Sequence, residues 1–208
     1  MPNYFSKGLN PFVFDSIRAD VLYFDKTDSV LYAGNKTGLH LYKDRKKIQH
    51  RYASFNGLSF TDIDKDGQGI FIATTLGDGV FFFNKDTVLN LNEKSGLTDN
   101  MCTSLFMQND STVWVSTLNG LNRILYNYSD GELTGIKIRN FYRNDGLPSN
   151  YINDIYIYGD SVWLATNIGL AVFNEKDLPS YSYSPKMVIE AFKANDVYRP
   201  VFSSARIN

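Results

Sequence analysis

The run Asp62-Ile63-Asp64-Lys65-Asp66-Gly67 is the stretch of this 208-residue chain whose residue types and spacing most suggest chemistry. Carboxylates at alternate positions ahead of a glycine make the first half of a calcium loop, because such side chains can converge on one hard cation. The second half is missing, since the twelfth position, where a bidentate acid belongs, is Ala73. The run therefore reads as a strand leading into a solvated hairpin, with calcium at Asp62, Asp64 and Asp66 as the minor alternative. No other metal or cofactor is expected.

Nucleophilic chemistry finds less support. Cys102 is the single cysteine, so no internal disulfide can form, and one cysteine with two histidines cannot complete the usual closed zinc site. We read Cys102 as a small buried apolar side chain. The chain has no G-x-S-x-G, and His40 and His50 stand in no catalytic phrase. No catalytic residue is assigned and the chain is not expected to be an enzyme. A hydrolase or lyase drawing carboxylates or a tyrosine from several parts of the chain is the remaining catalytic alternative.

Binding is the more natural expectation. Asn35, Lys36, Asp78, Asn119 and Asn167 can all hydrogen-bond a polar small molecule or an oligosaccharide. Asn and Asp are also favoured in tight turns for backbone reasons alone, so these five candidates depend on the elements that hold them.

Those elements repeat. Val30 to Leu39, Ile70 to Val80, Val113 to Leu121 and Val162 to Leu170 are versions of one phrase, with Gly38, Gly79, Gly120 and Gly169 spaced 41, 41 and 49 residues apart. A period near forty built on alternating apolar residues and a glycine turn is the size of one four-stranded propeller blade. The third repeat is the clearest: a strand over Met101 to Gln108, a polar turn, a strand over Val113 to Ser116, a turn at Leu118-Asn119-Gly120, a return over Leu121 to Tyr126, and a fourth strand after Gly131. The fourth repeat keeps that order, with strands over Tyr151 to Tyr158, Val162 to Ala165 and Leu170 to Asn174. Gly120 and Gly169 are expected at positive φ. In the first repeat Arg18 to Asp25 supplies the inner strand, and in the second the later hairpin is lengthened.

Trp114 and Trp163, with Phe71 and Leu31 in the other repeats, put one large apolar group at one place in each blade, which predicts a core between neighbouring blades. Asn100 and Asn150 recur in one register and read as groups that brace a loop. Loops entering each inner strand and hairpins between second and third strands should share one face of the propeller, which brings the five binding candidates to the mouth of its channel.

Composition agrees with this reading. Hydrophobic residues make up 43% of the chain and aromatics 15%, mostly Tyr and Phe, enough for a folded core of packed strands. The formal net charge is -1, and the basic residues are scattered except for Lys43, Arg45, Lys46, Lys47 and Arg51. That cluster reads as a solvated outer turn, and nucleic acid is not an expected partner. The N-x-[ST] triplets at Asn35, Asn109 and Asn127 carry no weight in so Asn-rich a chain. No apolar run approaches the roughly 18 residues of a membrane span, and the first residues have no secretion-signal pattern. A leader, if there is one, is expected in sequence outside these 208 residues.

The phrase G-L-x-x-N, an inner strand, a polar turn, V-W-[VL]-[SA]-T and G-L resembles the two-component regulator propeller repeat over most of Leu22 to Asn174. The resemblance implies an all-β array of about four blades, a partial propeller, belonging to the periplasmic part of a membrane-anchored sensor histidine kinase or hybrid regulator. It also implies a carbohydrate-type or other polar ligand. Ser184 to Phe192, followed by polar Lys193 to Asp196, resembles the opening strand of the three-tyrosine β-sandwich that follows such propellers. The expected division is residues 1–180 for blades and 181–208 for a linker and the first strands of that sandwich, cut short. The remaining blades and sandwich of a parent protein, or another copy of the chain, are the expected partners. A propeller scaffold for protein partners is the alternative.

Overall fold

The computed structural model describes residues 15–49, 52–129, 132–178, 191–194 and 197–200. Two compact units divide at Glu175 and Lys176. The first is all β, and its described strands form four antiparallel sheets laid out in chain order.

Blade 1 consists of β1 (Val21–Asp25), β2 (Val30–Asn35), β3 (Gly38–Lys43) and β4 (Lys46–Ile48); blade 2 of β5 (Phe60–Lys65), β6 (Phe71–Thr75), β7 (Gly79–Phe83) and β8 (Val88–Leu91). Blade 3 follows with β9 (Cys102–Asn109), β10 (Thr112–Thr117), β11 (Gly120–Ser129) and β12 (Glu132–Phe141). The described part of blade 4 has three strands, β13 (Ile152–Tyr158), β14 (Ser161–Thr166) and β15 (Gly169–Asn174). Each sheet is an up-and-down meander of sequence neighbours, which is how short alternating runs joined by tight turns satisfy their backbone at least entropic cost. This is the expected propeller-like array, though the inner strand of blade 1 begins at Val21 and not at Arg18 and β11 runs past Tyr126 to Ser129.

The hairpin register aligns the blades. Asn35↔Gly38, Thr75↔Gly79, Thr117↔Gly120 and Thr166↔Gly169 are equivalent pairs. Blade 2 needs three residues between its strands where the others need two, the lengthening the sequence predicts. Gly120 and Gly169 adopt φ of 134° and 132°, a left-handed region that other residues rarely tolerate.

Counting back from these pairs places Tyr32, Ile72, Trp114 and Trp163 at one position, so Leu31 and Phe71 are not the equivalents of the tryptophans. They align instead with Val113 and Val162, one residue earlier and on the opposite sheet face. A match made on side-chain size lands one residue early in both blades.

Blades pack face to face. The far side of blade 1, through Tyr32, Leu39 and Leu41, meets Ile63, Phe71, Ala73, Phe81 and Phe83 of blade 2. In turn Ile72, Val80 and Phe82 of blade 2 meet Leu105, Val115, Ile124 and Tyr126 of blade 3. Ring contacts reinforce both seams, with Tyr32 and Phe71 centroids 4.5 Å apart and Phe82 and Tyr126 5.1 Å apart. Trp114 is fully buried, stacked 5.8 Å from Phe141 with the Arg123 guanidinium 5.4 Å from its own ring. Its indole N–H donates to Gln108 Oε1, and both Gln108 and Arg123 are held by Glu175 after β15.

The expectation that Trp163 is likewise core does not hold, since its side chain is 44% exposed. It lies on the far face of blade 4 beside Tyr156, Leu170 and Val172, all exposed, just as Leu22 and Phe24 are exposed on the opposite end of the array. Identical placement within a blade secures burial only where another blade lies against it.

The second unit, taken alone, contains a hairpin of β16 (Ala191–Ala194) and β17 (Val197–Pro200), paired Ala191↔Pro200 to Ala194↔Val197. Lys193, expected among the polar residues that follow the strand, lies within β16. The rest of the expected sandwich opening, residues 184–190, lies outside the described residues.

Candidate functional site

The five candidate binding residues occupy the hairpins between second and third strands, one hairpin per blade. The loop entering each next blade lies against them. The backbone N–H groups of Gly77 and Gly79 donate to the Asn100 carbonyl, and Gly120 N–H donates to the Asn150 carbonyl at 2.7 Å. Hairpins and entering loops therefore share one face, as the sequence predicts.

Asn100 and Asn150 brace those loops. Each accepts the N–H that opens a single 3-10 turn, Asn100 from Glu93 at 2.8 Å and Asn150 from Arg143 at 2.7 Å. Gly96 and Gly146 close the two turns and Leu97 and Leu147 are buried behind them.

On this face the candidates differ in what they have to offer. Asn35 is buried and spent on the fold, donating to the Arg18 carbonyl and accepting from the N–H and hydroxyl of Thr37. Asn119 is exposed, and its Oδ1 accepts from Asn150 Nδ2 at 3.2 Å. Asn167 is exposed with its Oδ1 accepting from Ser149 Oγ at 2.7 Å, while Lys36 and Asp78 are exposed at their turns. Both asparagines keep their amide orientation through a neighbouring loop and retain capacity toward solvent.

Toward the other ends of the inner strands, blades 1 and 2 line an open cleft of 640 Å³ with Tyr23, Asp25, Lys65, Asp66 and Gln68 among its walls, and a second of 280 Å³ lies beside it. Neither involves any of the five candidates. Lys65 lies at the junction of the two, its ammonium 2.7 Å from Asp25 and 4.9 Å from the centroid of Phe71. Burial opposes ionisation of Asp25, but the Lys65 hydrogen bond and the Thr27 N–H outweigh it and hold the carboxyl below its usual value.

The three carboxylates of the calcium-like run separate. Asp62 points across to blade 3, Asp64 accepts from Lys65 N–H, and Asp66 accepts from the N–H groups of Gln68 and Ile70 and from the Tyr126 hydroxyl of blade 3. Among the described residues no three His, Cys, Asp or Glu side chains are grouped to hold a metal ion. Burial, followed by Asp66, raises the Tyr126 phenol, which stays a proton donor. Cys102 is buried and its thiol is pushed up to about 12 by burial and by Asp99, a neutral packing group with no nucleophilic character at ordinary pH.

One feature of the inner strands escapes a reading by period. β5, β9 and β13 each carry a bulge near their start, between Phe60 and Asp62, between Cys102 and Ser104, and between Ile152 and Asp154. The extra residue turns its side chain toward the next blade: Thr61 Oγ1 donates to the Cys102 carbonyl at 2.9 Å, and Thr103 Oγ1 to the Ile152 carbonyl at 2.7 Å. Threonine at both places was the available signal.

No protein-family model matches this chain, and no curated protein matches it. Solved structures do. The extracellular domain of B. thetaiotaomicron BT3049, assigned to a hybrid two-component system, aligns at 24% identity and TM-score 0.54 over 76% of this chain and 23% of its own. That of BT4673 from the same organism, also assigned to a hybrid two-component system, aligns at 16% identity and TM-score 0.60 over 86% and 27%. PorZ, a surface component of the type-IX secretion system of Porphyromonas gingivalis, aligns at 16% and TM-score 0.57 over 87% and 28%. The likeness establishes a shared fold, and this chain spans about a quarter of the length of those structures.

Proposed function

We propose that this chain is the signal-input segment of a periplasmic, membrane-anchored sensor of the two-component type, coupled to a histidine kinase module elsewhere in the parent protein. The observation that carries the reading is the shared blade architecture with extracellular domains assigned to two-component systems. In this role the segment performs no chemistry. A polar ligand such as an oligosaccharide binds the hairpin face through Asn119, Asn167, Asp78 and Lys36, and the exposed ends of the array, Leu22 and Phe24 on one side and Trp163 and Val172 on the other, take further blades of the parent or a second copy. Ligand affinity that differs between two arrangements of the blades is sufficient to pass a signal onward.

Thermal-shift screening of oligosaccharides tests the ligand. A responsive saccharide should raise the midpoint of the wild-type protein and lose most of that effect in Asn119→Ala and Asn167→Ala. A saccharide that stabilises wild type and both variants equally removes the hairpin face from consideration. Likeness to PorZ supports a second reading, a scaffold for protein assembly, since that protein is a component of a secretion system. Under that reading no saccharide shifts the midpoint, and a surface substitution on an end face abolishes co-purification with a partner.

A further inference from the structure

The inner strands of blades 2, 3 and 4 meet through three side chains at equivalent places after their bulges: Asp62, Ser104 and Asp154. Ser104 Oγ lies 3.0 Å from Asp62 Oδ2 and 2.7 Å from Asp154 Oδ1, both hydrogen-bonding distances. A hydroxyl has one hydrogen. If both carboxyls are ionised, Ser104 can donate to only one, and its lone pairs face the other carboxylate with no proton between them. A second proton, held by either carboxyl, completes the chain: the protonated acid donates to Ser104 Oγ, and Ser104 donates to the remaining carboxylate.

We propose that Asp62, Ser104 and Asp154 form a proton-sharing clasp across three blades, in which the two carboxyls together retain one proton that joins the inner strands. When the clasp loses it, one of its two links becomes a repulsion.

The surroundings favour retention. Of the strands packed on β5, β6 and β9 carry no charged side chain, β2 none, and β1 only Asp25, which is committed to Lys65. Tyr23, Tyr32 and Cys102 on these strands are all raised and neutral. On β5 itself Asp64 accepts from the Lys65 N–H, and the Lys65 ammonium bonds Asp25. Among the described residues no cation therefore offsets a second negative charge at this point. Burial raises the Asp62 carboxyl and Asp154 adds to it, against the lowering by the N–H groups of Leu105 and Ile63 and by Ser104. With the proton on half-buried Asp62, that carboxyl donates to Ser104, and Ser104 donates over the shorter 2.7 Å contact to Asp154 Oδ1, which also accepts from the Ile155 N–H. Asp154 is exposed, which gives the proton a route to solvent.

Raised proton affinity in the folded state fixes the sign. The contribution to stability is complete below the unfolded aspartate value and is lost as pH rises through the raised Asp62 value. In Asp154→Asn the side-chain oxygen keeps the Ser104 and Ile155 N–H contacts, while the negative charge facing Asp62 is gone. Carboxyl ¹³C titration of the 208-residue protein should show the Asp62 step above the ordinary aspartate value in wild type and moved downward in Asp154→Asn. The melting midpoint of Asp154→Asn relative to wild type should be near zero difference in acid and grow positive above the raised Asp62 step. Ser104→Ala separates sharing from simple repulsion, because without the hydroxyl the effect of Asp154→Asn on the Asp62 step should shrink. An Asp62 step that stays in place in Asp154→Asn overturns the proposal, as does a shift of equal size in the Ser104→Ala background.

Discussion

Blades 3 and 4 are written with almost the same words, Val113-Trp114-Val115-Ser116-Thr117 and Val162-Trp163-Leu164-Ala165-Thr166, and the two tryptophans end in different surroundings. Trp114 has no exposed surface, with its ring stacked on Phe141 and near the Arg123 guanidinium and its N–H on Gln108, while Trp163 is 44% exposed. The strand, its register with the next strand and the glycine that ends the hairpin are the same in both. What differs is the neighbour. A blade encodes its own pleat locally, but the free energy of its far face comes from whatever sheet lies against it, as in other arrays with nearest-neighbour energetics.

The largest test of that statement is a pair of truncations. Trp114→Ala should destabilise the 208-residue protein by about 3–5 kcal/mol, on the order of 10 °C in melting midpoint. Trp163→Ala should change it by about 1 kcal/mol or less, since much of the ring already meets water. Equal losses would break the comparison. In a longer protein in which a further blade covers β14 and β15, the Trp163 loss should rise toward that of Trp114, which would sharpen it.

Glycines give a smaller contrast of the same kind. A Cβ at Gly120 would lie 2.9 Å from the Phe141 carbonyl oxygen and 3.0 Å from Thr98 Cγ2, whereas one at Gly169 would meet nothing within 4 Å. Both substitutions force a side chain into left-handed φ, so Gly169→Ala should cost about 1 kcal/mol from the backbone alone. Gly120→Ala adds a collision with the fourth strand of its blade and should cost about 2–3 kcal/mol. Chemical denaturation at constant slope separates the two.

These contrasts also mark what could be read from the chain alone. The blade was legible because its signals are local: alternation with period two, a turn glycine every forty-odd residues, and the Asn100 and Asn150 loops, whose bracing role followed from their fixed register. Alignment of Phe71 with Trp114 failed because it was made on side-chain size while strand register puts Ile72 there, and with period two a shift by one reverses the face. Burial of Trp163 was not legible because it depends on a sheet contact outside the repeat. Of the five candidate binding residues, Asn35 looked like the others, yet its side chain is consumed by Arg18 and Thr37, a local competition that a turn signature does not reveal. The clasp at Asp62, Ser104 and Asp154 joins positions 42 and 50 residues apart and lay hidden because its members are chemically unlike.

The smallest expected effects concern the bulge residues, where the two blades differ again. Thr103 Oγ1 reaches the Ile152 carbonyl of blade 4, and the equivalent Asn153 is exposed. Thr103→Val keeps the shape of the side chain and its β-branching, so the strand is undisturbed, but removes a donor from a part-buried carbonyl. The expected loss is about 1 kcal/mol. Asn153→Ala should fall within about 0.5 kcal/mol of wild type, because no donor is withdrawn from a buried partner. Hydrogen exchange at the start of β13 distinguishes a true inter-blade bond from a passive contact: Thr103→Val should speed exchange there without changing the rate in β6 or β7, while Asn153→Ala should leave both unchanged. Faster exchange spread over all four blades would mean that Thr103 acts through global stability, and the seam between blades 3 and 4 would then owe its closure to Trp114 and Glu175 instead.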